Sequence, residues 1–169
     1  MPGTTPVYGF PYPELTDLVA DYPALGQQLA EDVEDIIAAL ARASTAEVTT
    51  SQTTTSTSYT DLATAGPTVT VTTGTKALVV VSGYMFNNTG NQAALMSVAI
   101  SGASTFAAAD NWAVEVFGAT GSAVAAGASR ATLFTGLTAG SNTFTSKYKV
   151  TGGTGTFRNR GIIVLNMGS

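Results

Sequence analysis

The pattern of apolar and polar positions changes character twice along the chain. From Leu25 to Leu40 the apolar residues recur at helical spacing, with Leu29, Val33, Ile36 and Leu40 separated by 4, 3 and 4 and with Leu25 and Ile37 beside them. This predicts one amphipathic helix over residues 23–43, begun by Asp21 as N-cap with Pro23 in its first turn. Glu31, Asp32, Glu34 and Asp35 flank the apolar seam, which covers only about two heptads. A helix this short is marginal by itself, so its stripe needs cover. The cover is either identical helices around an axis or some other surface, its own β domain or a larger assembly.

Beyond the helix the period shortens to two. Val69 and Val71 alternate with threonines, and Phe144, Ser146, Tyr148 and Val150 alternate with Thr145, Lys147 and Lys149. Strands are predicted at about 53–60, 68–73, 77–86, 94–101, 112–118, 130–135, 141–150 and 157–166, each closed by Gly, Pro, Asn or Ser clusters. About eight strands at this spacing suit an antiparallel, jelly-roll-like β-sandwich. Leu78–Val81 and Ile162–Leu165 are apolar on both faces, which suits central strands or strands whose outer face meets another subunit. The expected fold is therefore mainly β: an extended leader at 1–22, a helix at 23–43, a Ser/Thr-rich linker at 44–52 and a sandwich at 53–169. The linker is assigned from the tract 44–60, in which twelve of seventeen residues are Ser or Thr.

The leader Val7-Tyr-Gly-Phe-Pro-Tyr-Pro places Tyr8, Phe10 and Tyr12 among prolines and glycine, a composition that favours an extended chain over a helix or a paired strand. Aromatics presented at low entropic cost suit docking into a groove of another protein, so these three are candidate anchor residues. They can alternatively fold back on the rest of the chain.

Composition narrows the chemistry. The 169 residues include no histidine and no cysteine, which removes the commonest general base, the commonest metal ligand and the thiol nucleophile. No cofactor is expected. The three acids after residue 48 are Asp61, Asp110 and Glu115, and turn or capping roles explain the two aspartates better than a glycosidase-type pair. Thr151-Gly-Gly-Thr-Gly-Thr resembles a phosphate-cradling loop only superficially, because a strand follows it and not a helix; a hairpin turn is expected there.

Charge is divided unevenly. Residues 1–47 carry eight of the eleven acids and one of the seven bases, so the two parts stand near −7 and +3 within a net −4. The six later bases are dispersed, which argues against nucleic acid; contacts with the acidic helix of the same or a neighbouring chain are expected for them. The longest apolar run, Ala77–Val81, is too short to span a bilayer, and the first residues lack the pattern of a secretory signal. Trp112 with Asn111 is a candidate sugar-stacking platform, against the plainer reading of a core tryptophan.

Several runs together resemble a known family. Tyr8-Gly-Phe-Pro-Tyr-Pro followed by an acidic helix with Leu29-Ala-Glu-Asp-Val resembles the leader of virion appendage proteins of tailed phages infecting actinobacteria: head-decoration or head-fibre, minor tail and tail-fibre proteins. Ser56-Thr-Ser-Tyr-Thr-Asp-Leu, Gly66-Pro-Thr-Val-Thr-Val, Leu137-Thr-Ala-Gly-Ser-Asn-Thr-Phe and Asn159-Arg-Gly-Ile-Ile-Val-Leu resemble their C-terminal jelly-roll-like domains. The resemblance implies a homotrimer on the virion surface, joined to capsid or tail proteins by the leader, with the β domain outward. It leaves two roles: a capsid decoration protein, or a short tail fibre whose β domain binds a host surface glycan.

Overall fold

The computed structural model describes residues 3–6, 9–14, 21–40, 43–119 and 124–168, with the backbone alone at 38–40. Two compact units result, Met1–Arg42 and Ala43–Ser169. The first unit holds two short strands, β1 (Gly3–Thr4) and β2 (Pro11–Tyr12), and the helix α1 (Tyr22–Leu40).

The leader is not a plain extended segment. β1 and β2 pair antiparallel, Gly3 opposite Tyr12 and Thr4 opposite Pro11. Thr5 closes the small hairpin: its N–H donates to the Phe10 carbonyl at 2.9 Å, and its Oγ1 accepts from the Phe10 N–H at 3.0 Å. A proline lacks one donor but keeps its carbonyl, so it is tolerated in a ladder only two residues long. The helix follows the expected periodicity and begins directly after Asp21. Gln27 and Gln28 donate from their side-chain amides to Glu31 and Asp32 one turn later, at 2.8 and 2.9 Å, which steadies the acidic face.

The second unit is a two-sheet antiparallel sandwich. Its strands are β3 (Ala43–Val48), β4 (Gln52–Thr54), β5 (Thr68–Thr73), β6 (Lys76–Asn87), β7 (Ala93–Gly102), β8 (Val114–Phe117), β9 (Ala125–Thr135), β10 (Gly140–Val150) and β11 (Gly155–Asn166). One sheet has the order β5-β10-β7-β8; the other runs β3-β11-β6-β9, with β4 also paired to β11. With β4 set aside, eight strands pair as 1 with 8, 2 with 7, 3 with 6 and 4 with 5. That is one long hairpin folded at the β7–β8 connection and rolled up. Rolling adds the contacts β11–β6 and β10–β7, and the product is a jelly roll.

The alternation read from the sequence decides which side chains fill the space between the sheets. Val69, Phe144, Tyr148, Val98 and Ile100 point inward from one sheet, and Val79, Val81, Phe157, Ile162 and Val164 from the other. β6 and β11 are central in their sheet, yet Leu78, Val80, Ile163 and Leu165 of the runs that are apolar on both faces lie on the side away from the core.

Several boundaries differ from expectation. Residues 44–52 are not a linker: β3 occupies most of that stretch, so the sandwich starts at Ala43 and not at 53. Ser44, Ala46 and Val48 alternate inward there, but two of the three are small, so the tract reads as polar low complexity. Of the strand expected at 53–60, only Thr53 and Thr54 pair with β11. Residues 56–60 instead cover the edge of β10 that β5 leaves open, Thr60 exchanging two backbone bonds with Tyr148 and Ser56 accepting from the Val150 N–H. β9 begins five residues earlier than expected, because alanines and glycine at its start conceal a strand that pairs along β6 as far as Phe86. The glycine-rich 151–154 connection is not a β-hairpin turn, since β10 and β11 lie in different sheets. Gly153, at φ +69°, passes so close to Asn87 and Thr89 that a Cβ would collide with both.

A bulge in β11 resolves a conflict of register. Arg158 pairs with Tyr84 and Gly161 with Ser82, so Asn159 and Arg160 together oppose Gly83, and Asn159 takes φ 48°. The extra residue shifts the alternation, letting Phe157 before it and Ile162 and Val164 after it all face the core. It also turns Arg160 inward, fully buried. Its guanidinium donates to the carbonyls of Thr50, Thr64 and Gly66 at 3.3–3.4 Å and to Gln52 Oε1 at 3.1 Å, and stands 5.2 Å from the Tyr148 ring centroid.

Replacing Arg160 by alanine orphans these buried acceptors and leaves a cavity. Arg160→Ala is expected to lower the urea unfolding free energy by about 3–5 kcal/mol, with the midpoint shifting accordingly.

Candidate functional site

Polar chemistry outside the core concentrates on the solvent face of the β5-β10-β7-β8 sheet. Lys147 and Lys149 are two apart on β10, so both side chains leave the same face. Residues 57–59 together with Ala99, Ala107 and Ala108 line a shallow open groove around them. Lys147 Nζ is 2.7 Å from Asp61 Oδ2. Lys149 Nζ meets both carboxylate oxygens of Asp110, at 2.7 and 2.8 Å, and lies 4.9 Å from the Tyr59 ring centroid. The Tyr59 hydroxyl donates to Asp110 Oδ1 at 2.8 Å.

The electrostatics of the groove oppose acid–base work. Hydrogen bonds from Lys149 and Tyr59 hold the Asp110 carboxyl below its usual range, so it stays ionised and does not serve as a general acid near neutrality. Burial and the Asp110 carboxylate push the Tyr59 phenol well above its ordinary value, so it stays a donor. These two lysines thus pair with aspartates of their own β unit. Arg130 likewise donates to the Asn111 carbonyl at 2.6 Å, and Arg158 stacks 4.0 Å from the Tyr84 ring centroid. Among the described residues no cluster of three or more acidic groups is placed to hold a metal ion, and no helix is long and apolar enough to cross a membrane.

Trp112 is a core tryptophan at the margin of the sandwich. Its indole N–H donates to the Val98 carbonyl at 3.1 Å, and its ring meets Phe134 edge to face with centroids 5.3 Å apart. It sits in a 3-10 turn, Asp110–Trp112, and not at the start of a strand. A sugar platform needs a free ring face, and this ring is partly buried against the core, whereas Asn111 beside it is exposed.

The leader and helix candidates stand differently. Tyr8 lies outside the described residues. Phe10 and Tyr12 fall on the same short hairpin, Tyr12 largely exposed. Along α1, Leu29 and Val33 remain 40% and 37% exposed, Ile37 60%, and Ile36 is half-buried; for Leu40 only the backbone is described. Within the first unit the described apolar residues of the helix are thus exposed or half-buried.

What sequence reasoning missed is the buried pairing of Arg160 with Tyr148. The Tyr148 hydroxyl donates to the Gly66 carbonyl at 2.6 Å, and burial raises its pKa to about 12. An inward tyrosine was legible from the alternation around it; an inward arginine was not, because the bulge at Asn159 moves it across the sheet.

Two measurements follow. A tyrosine that ionises near 10 when unfolded but at about 12 when folded favours the native state fully below pH 10 and loses that contribution as pH rises from 10 to 12. Unfolding free energy should therefore fall over that window, and Tyr148→Phe should flatten the fall. Trp112→Ala should destabilise the fold by about 3–5 kcal/mol in chemical denaturation, as removal of a core aromatic does.

No protein-family model matches the chain, and no curated protein does. Among solved structures it is similar to a chain in a structure of infectious bursal disease virus, Gx strain, with 11% identity and a TM-score of 0.43. The alignment covers 76% of this chain and 32% of that one, so this chain spans about a third of the other's length.

Proposed function

We propose that this chain is a non-enzymatic structural protein of a phage virion: a trimeric decoration or head-fibre-like subunit, held to the capsid through its N-terminal leader with the β unit outward. The observation that carries the reading is the uncovered apolar stripe of α1. Leu29, Val33 and Ile37 are exposed on a helix of 19 residues, a length at which helices in water depend on packing of their apolar face. A stripe left open in one chain is explained by an assembly that covers it.

Three further points support a structural role. Asp61 and Asp110 are tied to lysines, with Asp110 held ionised. The jelly roll closes with its interior filled by side chains, and the grooves it leaves are shallow. The resemblance of the leader and of the β-unit motifs to phage appendage proteins supplies the virion and the trimer. A glycan-binding tail fibre is the weaker account, because Trp112 gives its indole N–H to the Val98 carbonyl and packs on Phe134.

Deleting residues 1–22 should abolish incorporation of the protein into particles, scored by protein content of purified virions, while the β unit keeps its circular dichroism spectrum. Truncated protein found on particles at the full-length level would remove the leader from its proposed role.

A further inference from the structure

Among the described residues, two buried side-chain polar atoms meet no protein partner: Ser146 Oγ and Arg160 Nε. Both residues are fully buried. They come from facing sheets, Ser146 on β10 opposite Val98 and Arg160 at the bulge of β11, yet they converge on one point. The Gly66–Pro67 dipeptide marks it. The Gly66 carbonyl accepts from the Tyr148 hydroxyl at 2.6 Å and from Arg160 Nη1 at 3.4 Å, and the Pro67 carbonyl accepts from the Ser146 N–H at 3.0 Å. Ser146 also lies two residues before Tyr148, on the same inward side of β10. Burial raises the Tyr148 phenol to about 12, while Arg160 and Ser146 each pull it partway back, as donors beside its hydroxyl do.

Each orphan is costly in a core that offers no bulk water, and two in one place have a common remedy. We infer that a single water molecule sits between them, held by Arg160 Nε–H and Ser146 Oγ, and that it bridges the two sheets across the core. The inference goes beyond the virion reading and does not rest on it. The water oxygen accepts from Nε–H, and the Ser146 hydroxyl takes a second bond as donor or acceptor. A third goes to the Tyr148 oxygen, whose own proton is engaged by Gly66. Three hydrogen bonds are what a buried water typically makes.

Charge and size decide what the occupant is. The guanidinium repels a cation. An anion fares no better, because the carbonyl oxygens of Thr50, Thr64 and Gly66 and the Gln52 Oε1 already crowd the guanidinium at 3.1–3.4 Å, each with its negative end inward. What suits the place is a neutral molecule that both donates and accepts. Three of those four direct bonds are 3.3 Å or longer, so the cation gains from a fifth acceptor. Arg160, Ser146, Tyr148, Phe144 and Phe157 are all fully buried, which holds the occupant to the smallest polar molecule.

The sign of one substitution in the full-length chain tests this. Were Ser146 Oγ truly unpaired, Ser146→Ala would remove a costly atom and leave the urea midpoint unchanged or higher. With the water bridge in place, the same change should lower the midpoint, the folding equilibrium constant falling roughly tenfold. A midpoint that holds or rises overturns the inference. A high-resolution crystal structure of the wild-type chain gives a second readout. It should show one density peak within hydrogen-bond distance of both Arg160 Nε and Ser146 Oγ, with no anomalous signal after a bromide soak. Direct contact between the two side chains, no peak at that position, or a bromide signal marking an anion each overturns the water assignment. Loss of the proposed virion role leaves these outcomes unchanged, since they are read from the isolated chain.

Discussion

Burial of the Arg160 guanidinium is the interaction on which the β unit's geometry turns. Taking a cation out of water costs several kcal/mol unless its donors are met, and here they are met by neutral oxygens: three backbone carbonyls and one side-chain amide. Those acceptors come from residues 50–66, the irregular stretch between β3 and β5. The guanidinium thus gives a Thr- and Ser-rich segment with few apolar side chains a reason to hold one path. Tyr148 completes the arrangement from the facing sheet, its ring beside the cation and its hydroxyl on the Gly66 carbonyl that Arg160 also contacts. One Nε–H is left without a partner in the protein.

The bulge that delivers Arg160 also makes the rolled topology compatible with the sequence. Without the extra residue, Phe157 and Ile162 would face opposite sides of β11, and one end of the strand would expose its apolar set. With it, a single twelve-residue strand serves the core along its whole length, pairs with β6 on one side, and receives β3 and β4 on the other. Closure of the roll is then secured by buried asparagines at the sandwich ends. Asn87 donates to the carbonyls of Ala93 and Gly152, joining two connections that cross between the sheets; Asn142 donates to the Thr73 hydroxyl and the Thr138 carbonyl.

The surface shows how the same alternation that builds a core leaves two unlike outer faces. One sheet turns threonines and paired lysines to solvent, with Thr70 bonded to Thr143 and Thr68 to Thr145 across the ladder. The other turns out leucine, valine and isoleucine. A lone monomer gains nothing from the second face.

Much of this was already determined by the amino-acid sequence. Its periods of 3.6 and 2 separate the helix from the strands, the inward set Val69, Phe144 and Tyr148 follows from alternation, and absent histidine and cysteine narrow the chemistry. These are local properties, carried by neighbouring residues. Tertiary structure decided the rest. It made a strand of Ser44, Ala46 and Val48, whose small side chains give no signal until β11 lies beside them, and it spent Trp112 on Phe134 and Val98. It also turned Arg160 inward, since a bulge is specified by the strand opposite, and it gathered Leu78, Leu133 and Ile163 into one patch. Register between strands distant in sequence does that gathering, and no periodicity within one strand records it.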